Sequence, residues 1–589
     1  MNNQIEITYN PRTKKLNAKC GFHLGDAVRG FPSRRFDPKS KLWSIPLVKA
    51  NILHLEEIKH LYDFTFSEDA IKAIKNHEAL MAAPKIVPFP LHAYDFLKSK
   101  VKYAPLDHQF KMLDLAWGLK ACAWFAKMGT GKTYASIHLA CARFSAGLID
   151  AVLVICPSTL KATWRKEFEK FATVDYEFKS HDPKASWLRV FYATKPDGKT
   201  MLVMVASIEG FGVSEALYES VCGYMVGRRV MVILDESSRI KNPDAKRTDR
   251  AITLGLSAEY KVILNGTPIA LGIQDLWSQY EFLDPNIIGC GDYWAFKTRY
   301  IEYGGYEQKQ VVGYKNVEEL MNAIRPYTIE VGKEVLNLRD KVRKTIYVEA
   351  TPEQRKLFKL IIKGSVGDPN EPLIKVDNTL ERRLRLRQVA GGYLPRGIPT
   401  KKVIDGMECE VIDTVVEPLK SNPKLEALMT MIDGHRIGSK FIIWTPFVHE
   451  IEEIASILRK TYGQESAECY YGSTDIEKRS QIEDRYCKDP SLQFFIANPA
   501  AAGLGLTLIS GMNDIMVYYS GTDAYIDRAQ SEDRSHRIGQ ENEVLVVDLV
   551  MERTIDEVIL EATENKMNIE EYVVSCLRNG VDLDSKMMG

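Results

Sequence analysis

The sequence predicts an α/β chain with two parallel-sheet lobes behind a small N-terminal β-rich module. Three observations predict it. Near-continuous apolar runs at 121–125, 151–156, 201–206, 230–234 and 261–264 read as strands buried on both faces, the habit of parallel sheets. A second series, at 440–444 and 493–497, repeats the pattern in the other half of the chain. The first run also leads through a glycine-rich turn into a helical pattern, the strand–turn–helix order of a phosphate-binding loop.

At 589 residues the chain is too long for one core, and its length suggests about three or four domains. A composition of 45% hydrophobic and 26% charged residues is that of an ordinary globular protein. Lys+Arg and Asp+Glu are equal at 78 each, so no global field selects a nucleic-acid partner. The imbalance is local. Residues 1–50 hold ten basic side chains (Arg12, Lys14, Lys15, Lys19, Arg29, Arg34, Arg35, Lys39, Lys41, Lys49) against three acidic ones (Glu6, Asp26, Asp37). Such a footprint suits phosphates, and a solvated face explains it too. The ten cysteines form no CxxC pair, which argues for reduced thiols rather than a zinc site or a disulfide framework. No apolar run approaches about 18 residues and the N-terminus is polar, so no membrane is expected.

Residues 1–50 read as short strands and turns. Within Phe31–Pro46, Asp37-Pro38 separates two aromatic-bearing extended segments, which predicts a hairpin. Arg34 and Arg35 are candidates for phosphate contacts, and Phe36 and Trp43 for stacking on bases. A plain β-domain core accounts for the same aromatics. Residues 51–82 read as largely helical from the spacing of Ile52, Leu55 and Ile58, and Ala83–Pro90 as a Pro-rich linker. Shortly before the glycine-rich turn, Gln109 offers the paired donor and acceptor that the edge of adenine requires.

The turn itself is Ala126-Lys127-Met128-Gly129-Thr130-Gly131-Lys132-Thr133. Gly129 and Gly131 let backbone N–H groups curl around phosphate oxygens, Lys132 can reach the β- and γ-phosphates, and Thr133 can hold Mg²⁺. Ala126 stands where the simplest pattern has its first glycine. The run 151–156 ends in Pro157-Ser158-Thr159, and 201–206 ends at Ser207; small hydroxyls and N–H groups at strand ends suit a phosphate backbone, as they suit ordinary turns. The run 230–234 ends in Asp235-Glu236, where Asp235 would organise Mg²⁺ and Glu236 would orient the attacking water.

Asp235-Glu236-Ser237-Ser238-Arg239-Ile240-Lys241-Asn242, with Leu264-Asn265-Gly266-Thr267-Pro268, resembles the SWI/SNF-type ATPases of helicase superfamily 2. The histidine usual in that acidic box is Ser238 here. In the second half, Gln530–Gln540 resembles the family's final motif over nearly its whole length, and Leu386-Arg387-Gln388 resembles another short run. If the final motif is helical, Arg534 and Arg537 share a face and can neutralise charge on the γ-phosphate. Arg34-Arg35-Phe36-Asp37-Pro38 with Trp43-Ser44 is similar to the HARP module of annealing helicases, which also carry the Glu532-Asp533-Arg534 sequence.

The resemblance covers about residues 100–560. It implies an α/β fold of two RecA-like parallel-sheet lobes with helical insertions, which would fill much of 280–430. ATP with Mg²⁺ would lie in the cleft and duplex DNA across both lobes. On matching positions it implies Gln109, Gly129, Thr130, Gly131, Lys132, Thr133, Asp235, Gly505 and Gln530 as ATP contacts. Thr133 and Asp235 would hold Mg²⁺, with Lys132, Glu236, Arg534 and Arg537 catalytic. Pro157, Ser158, Thr159, Ser207, Gly472, Ser473 and Thr507 would contact DNA, joined by Arg34, Arg35 and Trp43. The expected division is a HARP-like basic module (1–50), a helical segment and linker (51–95), lobe 1 (96–345), lobe 2 (346–545) and a C-terminal helical brace (546–589).

The expected activity is ATP-driven translocation on duplex DNA that remodels or re-anneals branched structures. A strand-separating helicase or a remover of DNA-bound proteins is the rival within the class, and a non-catalytic DNA-binding scaffold the rival outside it. Double-stranded or branched DNA is the expected partner, with single-strand-binding or replication proteins as further candidates. The expected setting is a bacterial or viral-host cytoplasm, associated with the nucleoid, or a nucleus if the source is eukaryotic.

Overall fold

The computed structural model describes residues 4–11, 15–81, 89–90, 104–181, 196–269, 272–304, 310–336, 338, 341–363, 365–368, 371–375, 379–404, 407–502, 506–537, 540, 542–569, 572 and 576. It divides into two compact units, Met1–Val335 and Leu336–Gly589. Among the described residues no helix is long and apolar enough to cross a membrane.

In the first unit, β1 (Gln4–Asn10), β2 (Lys15–Lys19), β3 (Arg35–Asp37), β4 (Leu42–Pro46) and β5 (Asp63–Phe66) form one sheet, ordered β3-β4-β2-β1-β5. Alternation sets its buried face: Ile5, Ile7, Leu16 and Ala18 are buried, whereas Glu6 between them is exposed. The expected hairpin forms as β3–β4, with Phe36 opposite Trp43 and ring centroids 4.9 Å apart. The largely helical reading of 51–82 holds over most of its length but missed one strand. Helices Lys49–Ile58 and Glu68–Met81 flank β5, which pairs in parallel with β1. A four-residue strand, Asp63-Phe64-Thr65-Phe66, is too short for periodicity to separate from a helix. The N-terminal module therefore runs past residue 50 and is anchored to the rest of its unit. The Ala50 N–H donates to Gly289 O at 2.8 Å, the Ser33 hydroxyl bonds the Asp292 carboxylate, and Arg299 lies 3.8 Å from Glu57. The expected linker lies mostly outside the described residues; Phe89 is buried edge-on against Trp117.

The main sheet of this unit uses β6 (Ala121–Ala126), β7 (Ala151–Cys156), β8 (Tyr176–Ser180), β9 (Met201–Ser207), β10 (Val230–Asp235) and β11 (Tyr260–Asn265). After the hairpin β12 (Ile301–Gly304) and β13 (Gln310–Tyr314), β14 (Thr328–Val331) completes it. The order is β14-β6-β11-β10-β7-β9-β8, with every pairing parallel. Parallel pairing brings the C-terminal ends of these strands to one edge, where loops collect function. Every residue of β6, β7 and β10 is buried, as their unbroken apolar runs predict.

The second unit contains β15 (Val342–Val348), the hairpins β16 (Ser365–Asp368) with β17 (Glu371–Lys375) and β18 (Tyr393–Ile404) with β19 (Met407–Pro418), then β20 (Ser439–Trp444), β21 (Ala467–Tyr470), β22 (Phe494–Ala497), β23 (Asn513–Tyr518) and β24 (Leu545–Met551). Its six-stranded sheet is ordered β15-β24-β23-β20-β22-β21 and is parallel throughout. The helical reading of 280–430 is corrected in part. Helices Tyr293–Tyr300, Val317–Ile324, Pro352–Ile362 and Thr379–Ala390 are present, but three antiparallel hairpins share the region. The second sheet also continues past residue 545, because β24 lies between β15 and β23.

Candidate functional site

The glycine loop joins β6 to the helix Lys132–Ser145. Gly129 has φ +82° and Gly131 φ +84°, backbone that a side chain rarely adopts. A Cβ on Gly131 would also stand 2.1 Å from Gln109 Nε2, so the glutamine amide would have to move off the loop to admit one. Lys132 Nζ donates to Ala126 O at 2.6 Å, which lays its ammonium across the loop. Thr130 is fully buried, and its hydroxyl donates to Lys127 O at 2.7 Å. Thr133, next to Lys132, occupies the second position of the helix.

Gln109 lies in the first turn of the helix Asp107–Trp117. Its Oε1 accepts the Leu106 N–H at 2.9 Å and its Nε2 donates to Thr130 O at 3.0 Å. His108 Nε2 meets the same carbonyl at 2.8 Å, so Nε2 carries the proton, because a carbonyl only accepts. One helical turn thus fixes both lone pairs of the loop's central carbonyl. The Gln109 amide retains a second N–H and a second lone pair.

Two strands away from β6, β10 ends in Asp235 and Glu236, 8% and 9% exposed. Burial, and then the neighbouring Glu236 carboxylate, push the Asp235 carboxyl well above its usual range; the Lys132 ammonium and the Trp164 indole oppose them. Asp235 Oδ2 accepts from Trp164 Nε1 at 3.0 Å, and Oδ1 accepts from the Glu236 N–H at 3.0 Å. Glu236 has φ +53°, a left-handed backbone that costs a non-glycine residue about 1 kcal/mol or more and clusters at functional sites. The residue after it is locked in place. Ser237 Oγ donates to Gln279 Oε1 at 2.6 Å and accepts from Asn265 Nδ2 at 3.3 Å; Gln279 Nε2 donates to Pro268 O at 2.9 Å. All three side chains are buried. Ser237, rather than the partly exposed Ser238 that stands in the histidine's place, links the acidic box to the turn 265–268.

The strand ends expected to meet DNA are brought together in part. Cys156 and Ser207 are register partners on β7 and β9, so Ser158 and Ser207 come to neighbouring strand ends. Glu209, not singled out from the sequence, bridges them: its Oε2 accepts from the Ser158 N–H at 3.0 Å and from Ser207 Oγ at 2.9 Å. A phosphate at these donors must displace or bypass that carboxylate. Pro157 and Thr159 flank Ser158 at the same end.

In the second unit the helix Tyr525–Glu532 carries Gln530 and stops before Arg534. The expectation of one helical face for Arg534 and Arg537 is corrected, since both lie in the turn after the helix. They converge nonetheless. Arg534 Nη1 and Arg537 Nη1 donate to Leu506 O at 3.2 and 3.1 Å, and Arg537 Nη1 reaches Thr507 Oγ1 at 2.8 Å. Thr507 is therefore tied to the arginine rather than turned away from it. Gly472 and Ser473 form the turn after β21, and Arg479 Nη2 donates to Gly472 O at 2.8 Å. Gly505 lies outside the described residues. In the N-terminal hairpin Arg35 is exposed and Trp43 half-buried, while Arg34 Nη1 donates to Phe31 O at 3.3 Å.

Sequence reasoning missed Gln279, Ser237, Glu209 and the bond from Trp164. A glutamine amid the apolar residues of 276–283 was the one visible signal among them.

Residues 112–391 match the SNF2-related domain, and residues 423–539 match the helicase conserved C-terminal domain. Transcription regulatory protein SNF2 of Saccharomyces cerevisiae is 25% identical over 480 residues, covering 76% of this chain and 26% of that protein. Chromatin structure-remodeling complex subunit snf21 of Schizosaccharomyces pombe is 26% identical over 481 residues, covering 76% and 37%. The chain thus spans only about a quarter to two fifths of the length of these relatives. The solved Sulfolobus solfataricus SWI2/SNF2 ATPase core in complex with dsDNA is 22% identical at a TM-score of 0.35, covering 78% of this chain and 91% of its own. This chain carries an SNF2-related domain followed by a helicase conserved C-terminal domain and is homologous to the SWI/SNF ATPases.

Proposed function

We propose that this chain hydrolyses ATP in response to DNA, moves along duplex DNA, and remodels or re-anneals branched structures. The observation that carries the reading is that one parallel sheet sets Lys132, on the glycine loop after β6, and the buried pair Asp235–Glu236, after β10, at the same edge with only β11 between their strands. The N–H groups of Gly129, Thr130 and Gly131 would cradle phosphate oxygens, with Lys132 supplying the cation and Gln109 facing the base. The Thr133 hydroxyl and Asp235 carboxylate are hard oxygen donors of the kind Mg²⁺ takes from protein, alongside phosphates and water. Mg²⁺ bound there would offset charge on the β- and γ-phosphates. Glu236 would hold the attacking water, and Arg534 and Arg537 would neutralise charge developing on the γ-phosphate, with Gln530 and Gly505 as further ATP contacts.

On the DNA side, Pro157, Ser158, Thr159 and Ser207 of the first unit and Gly472, Ser473 and Thr507 of the second are the proposed backbone contacts. The finer preference for branched DNA, and the HARP-like assignment behind it, rest on the hairpin in which exposed Arg35 lies beside the Phe36–Trp43 ring pair. The proposed division is this N-terminal module, two ATPase lobes and a C-terminal brace. Single-strand-binding or replication proteins are the proposed partners beside DNA, in a nucleoid-associated cytoplasm or a nucleus.

ATP turnover measured without DNA and with single-stranded, duplex and forked DNA tests the reading, with Lys132→Ala as control. Duplex DNA should stimulate turnover most, and the control should abolish it while DNA binding survives. Strand separation without re-annealing would favour the conventional helicase. Turnover that survives Lys132→Ala would show the site to be misassigned, and none in the intact chain would favour the scaffold.

A further inference from the structure

We infer that Trp164 is a positioning residue for Asp235, orienting its carboxylate for a divalent cation and tying it to the helix that follows segment 157–160. The inference rests on the nucleotide-site reading above and names a device within it.

Trp164 is 1% exposed and lies on the helix Lys161–Phe171, which begins directly after the turn Ser158–Leu160. An indole N–H is a donor with one direction and no acceptor role. Here it ends on Asp235 Oδ2 at 3.0 Å, across 71 residues of chain. The other oxygen, Oδ1, is held by the Glu236 N–H at 3.0 Å. With one donor on each oxygen, the plane of the carboxylate is fixed, and each oxygen keeps lone-pair capacity for a cation.

The indole is itself braced. Trp164 packs against Phe168 at 6.2 Å between ring centroids, and Phe168 sits 5.6 Å from both Tyr176 and Phe178 of β8. Packing alone does not call for this bond. Trp124 and Trp444 are equally buried, and their indole N–H groups have no hydrogen-bond partner among the described residues. Trp164 differs by aiming its N–H at the carboxylate proposed to hold Mg²⁺. Its helix starts where DNA contact is proposed, so a shift of segment 157–160 would move the donor that orients Asp235. Partners that orient a metal ligand from behind change metal affinity about 10- to 100-fold when removed.

The test measures binding of a fluorescent ADP to the full chain, first in EDTA and then across a Mg²⁺ titration. Wild type should gain affinity with Mg²⁺. Trp164→Phe should match wild type in EDTA but need about 10- to 100-fold more Mg²⁺ for half the gain. Benzothienylalanine at position 164 replaces the N–H by sulfur at nearly the same shape, and should behave as the phenylalanine does even if Trp164→Phe does not fold. Phe168→Leu loosens the same helix while keeping the N–H, and should leave the Mg²⁺ response in place. Duplex DNA should shift the Mg²⁺ half-point of wild type and leave that of the N–H-less variants unmoved. A wild-type chain with no Mg²⁺ response would sink the nucleotide-site reading itself. A wild-type response shared by the N–H-less variants, or lost equally in Phe168→Leu, would overturn this proposal alone.

Discussion

Glu532→Gln removes one charge from the most heavily paired carboxylate among the described residues of the second unit. Glu532 accepts from Arg528 Nε at 2.8 Å, from Arg343 at 2.9 and 2.7 Å, and from Lys341. Arg528 also forks onto Asp548 at 2.5 and 2.9 Å and lies over the Tyr518 ring at 3.3 Å. The network therefore joins β15, β23 and β24 to the helix that leads into Arg534. Burial alone would raise the Glu532 carboxyl, but Arg528, Arg343 and Lys341 outweigh it and hold the group well below the usual range. Breaking a buried pair costs about 3–5 kcal/mol; the low end, about 3 kcal/mol, applies because the Arg343 side chain is 52% exposed and can turn to water. The sign with pH follows from the lowered value. Stability from this group is present above the unfolded carboxyl range and is lost as pH falls through the folded one, so between about pH 5 and 8 the deficit should be constant. Native-state hydrogen exchange at β23 and β24 amides, wild type against Glu532→Gln, measures it. A deficit under about 1 kcal/mol, or one that shrinks between pH 6 and 8, would refute the reasoning.

Three further outcomes are expected. Glu450, raised to about 7 by burial against the opposing Lys424 ammonium and Thr445 hydroxyl, should show the reverse pH signature. Its folded form holds a proton that the unfolded form has lost, so wild-type stability should fall as pH rises from about 4.5 to 7, and Glu450→Gln should gain on wild type in urea unfolding at pH 8 but not at pH 5. Arg537→Ala should lower turnover about 10³- to 10⁵-fold with ATP binding largely kept, checked by single-turnover kinetics; unchanged turnover in a folded variant would end the arginine-finger assignment. Arg34→Ala with Arg35→Ala should reduce the slope of log affinity for forked DNA against log salt by about 0.9 for each phosphate that these arginines neutralise, and an unchanged slope would mean that they do not meet phosphates.

The two sheets were legible because parallel strands buried on both faces write themselves as unbroken apolar runs. Ala151–Cys156 and Val230–Leu234 are such runs, and the structure buries every residue of each. The misses share a cause. β5 has four residues and β8, Tyr176–Ser180, has no fully buried one, so neither offers a period or a run to detect. The same limit hid the N-terminal module's true extent. Its last strand, β5, pairs with its first, β1, across more than fifty residues, and its helix Lys49–Ile58 sits against Gly289. Removing residues 1–50 would therefore cut that helix at Ala50 and strand β5 without a partner.

Within the candidate site, sequence spacing named groups whose chemistry is local: glycines at positive φ, a lysine at a helix start, carboxylates at a strand end. It did not name groups whose chemistry depends on what the fold brings to them. Gln279 looks like a stray polar residue until Ser237 and the Pro268 carbonyl meet its amide. Trp164 looks like core until its N–H is found on Asp235. Buried polar side chains must be paired, so each has a partner to be sought, but the partner lies 42 residues away for Gln279 and 71 for Trp164. Neither interval has a helical or strand period, and only the register of a parallel sheet brings such ends together. The departure at Ser238 makes the same point from the other side. Ser238 stands where the family usually has a histidine, and a link to the turn 265–268 runs instead through the residue before it, by way of a glutamine on a different helix.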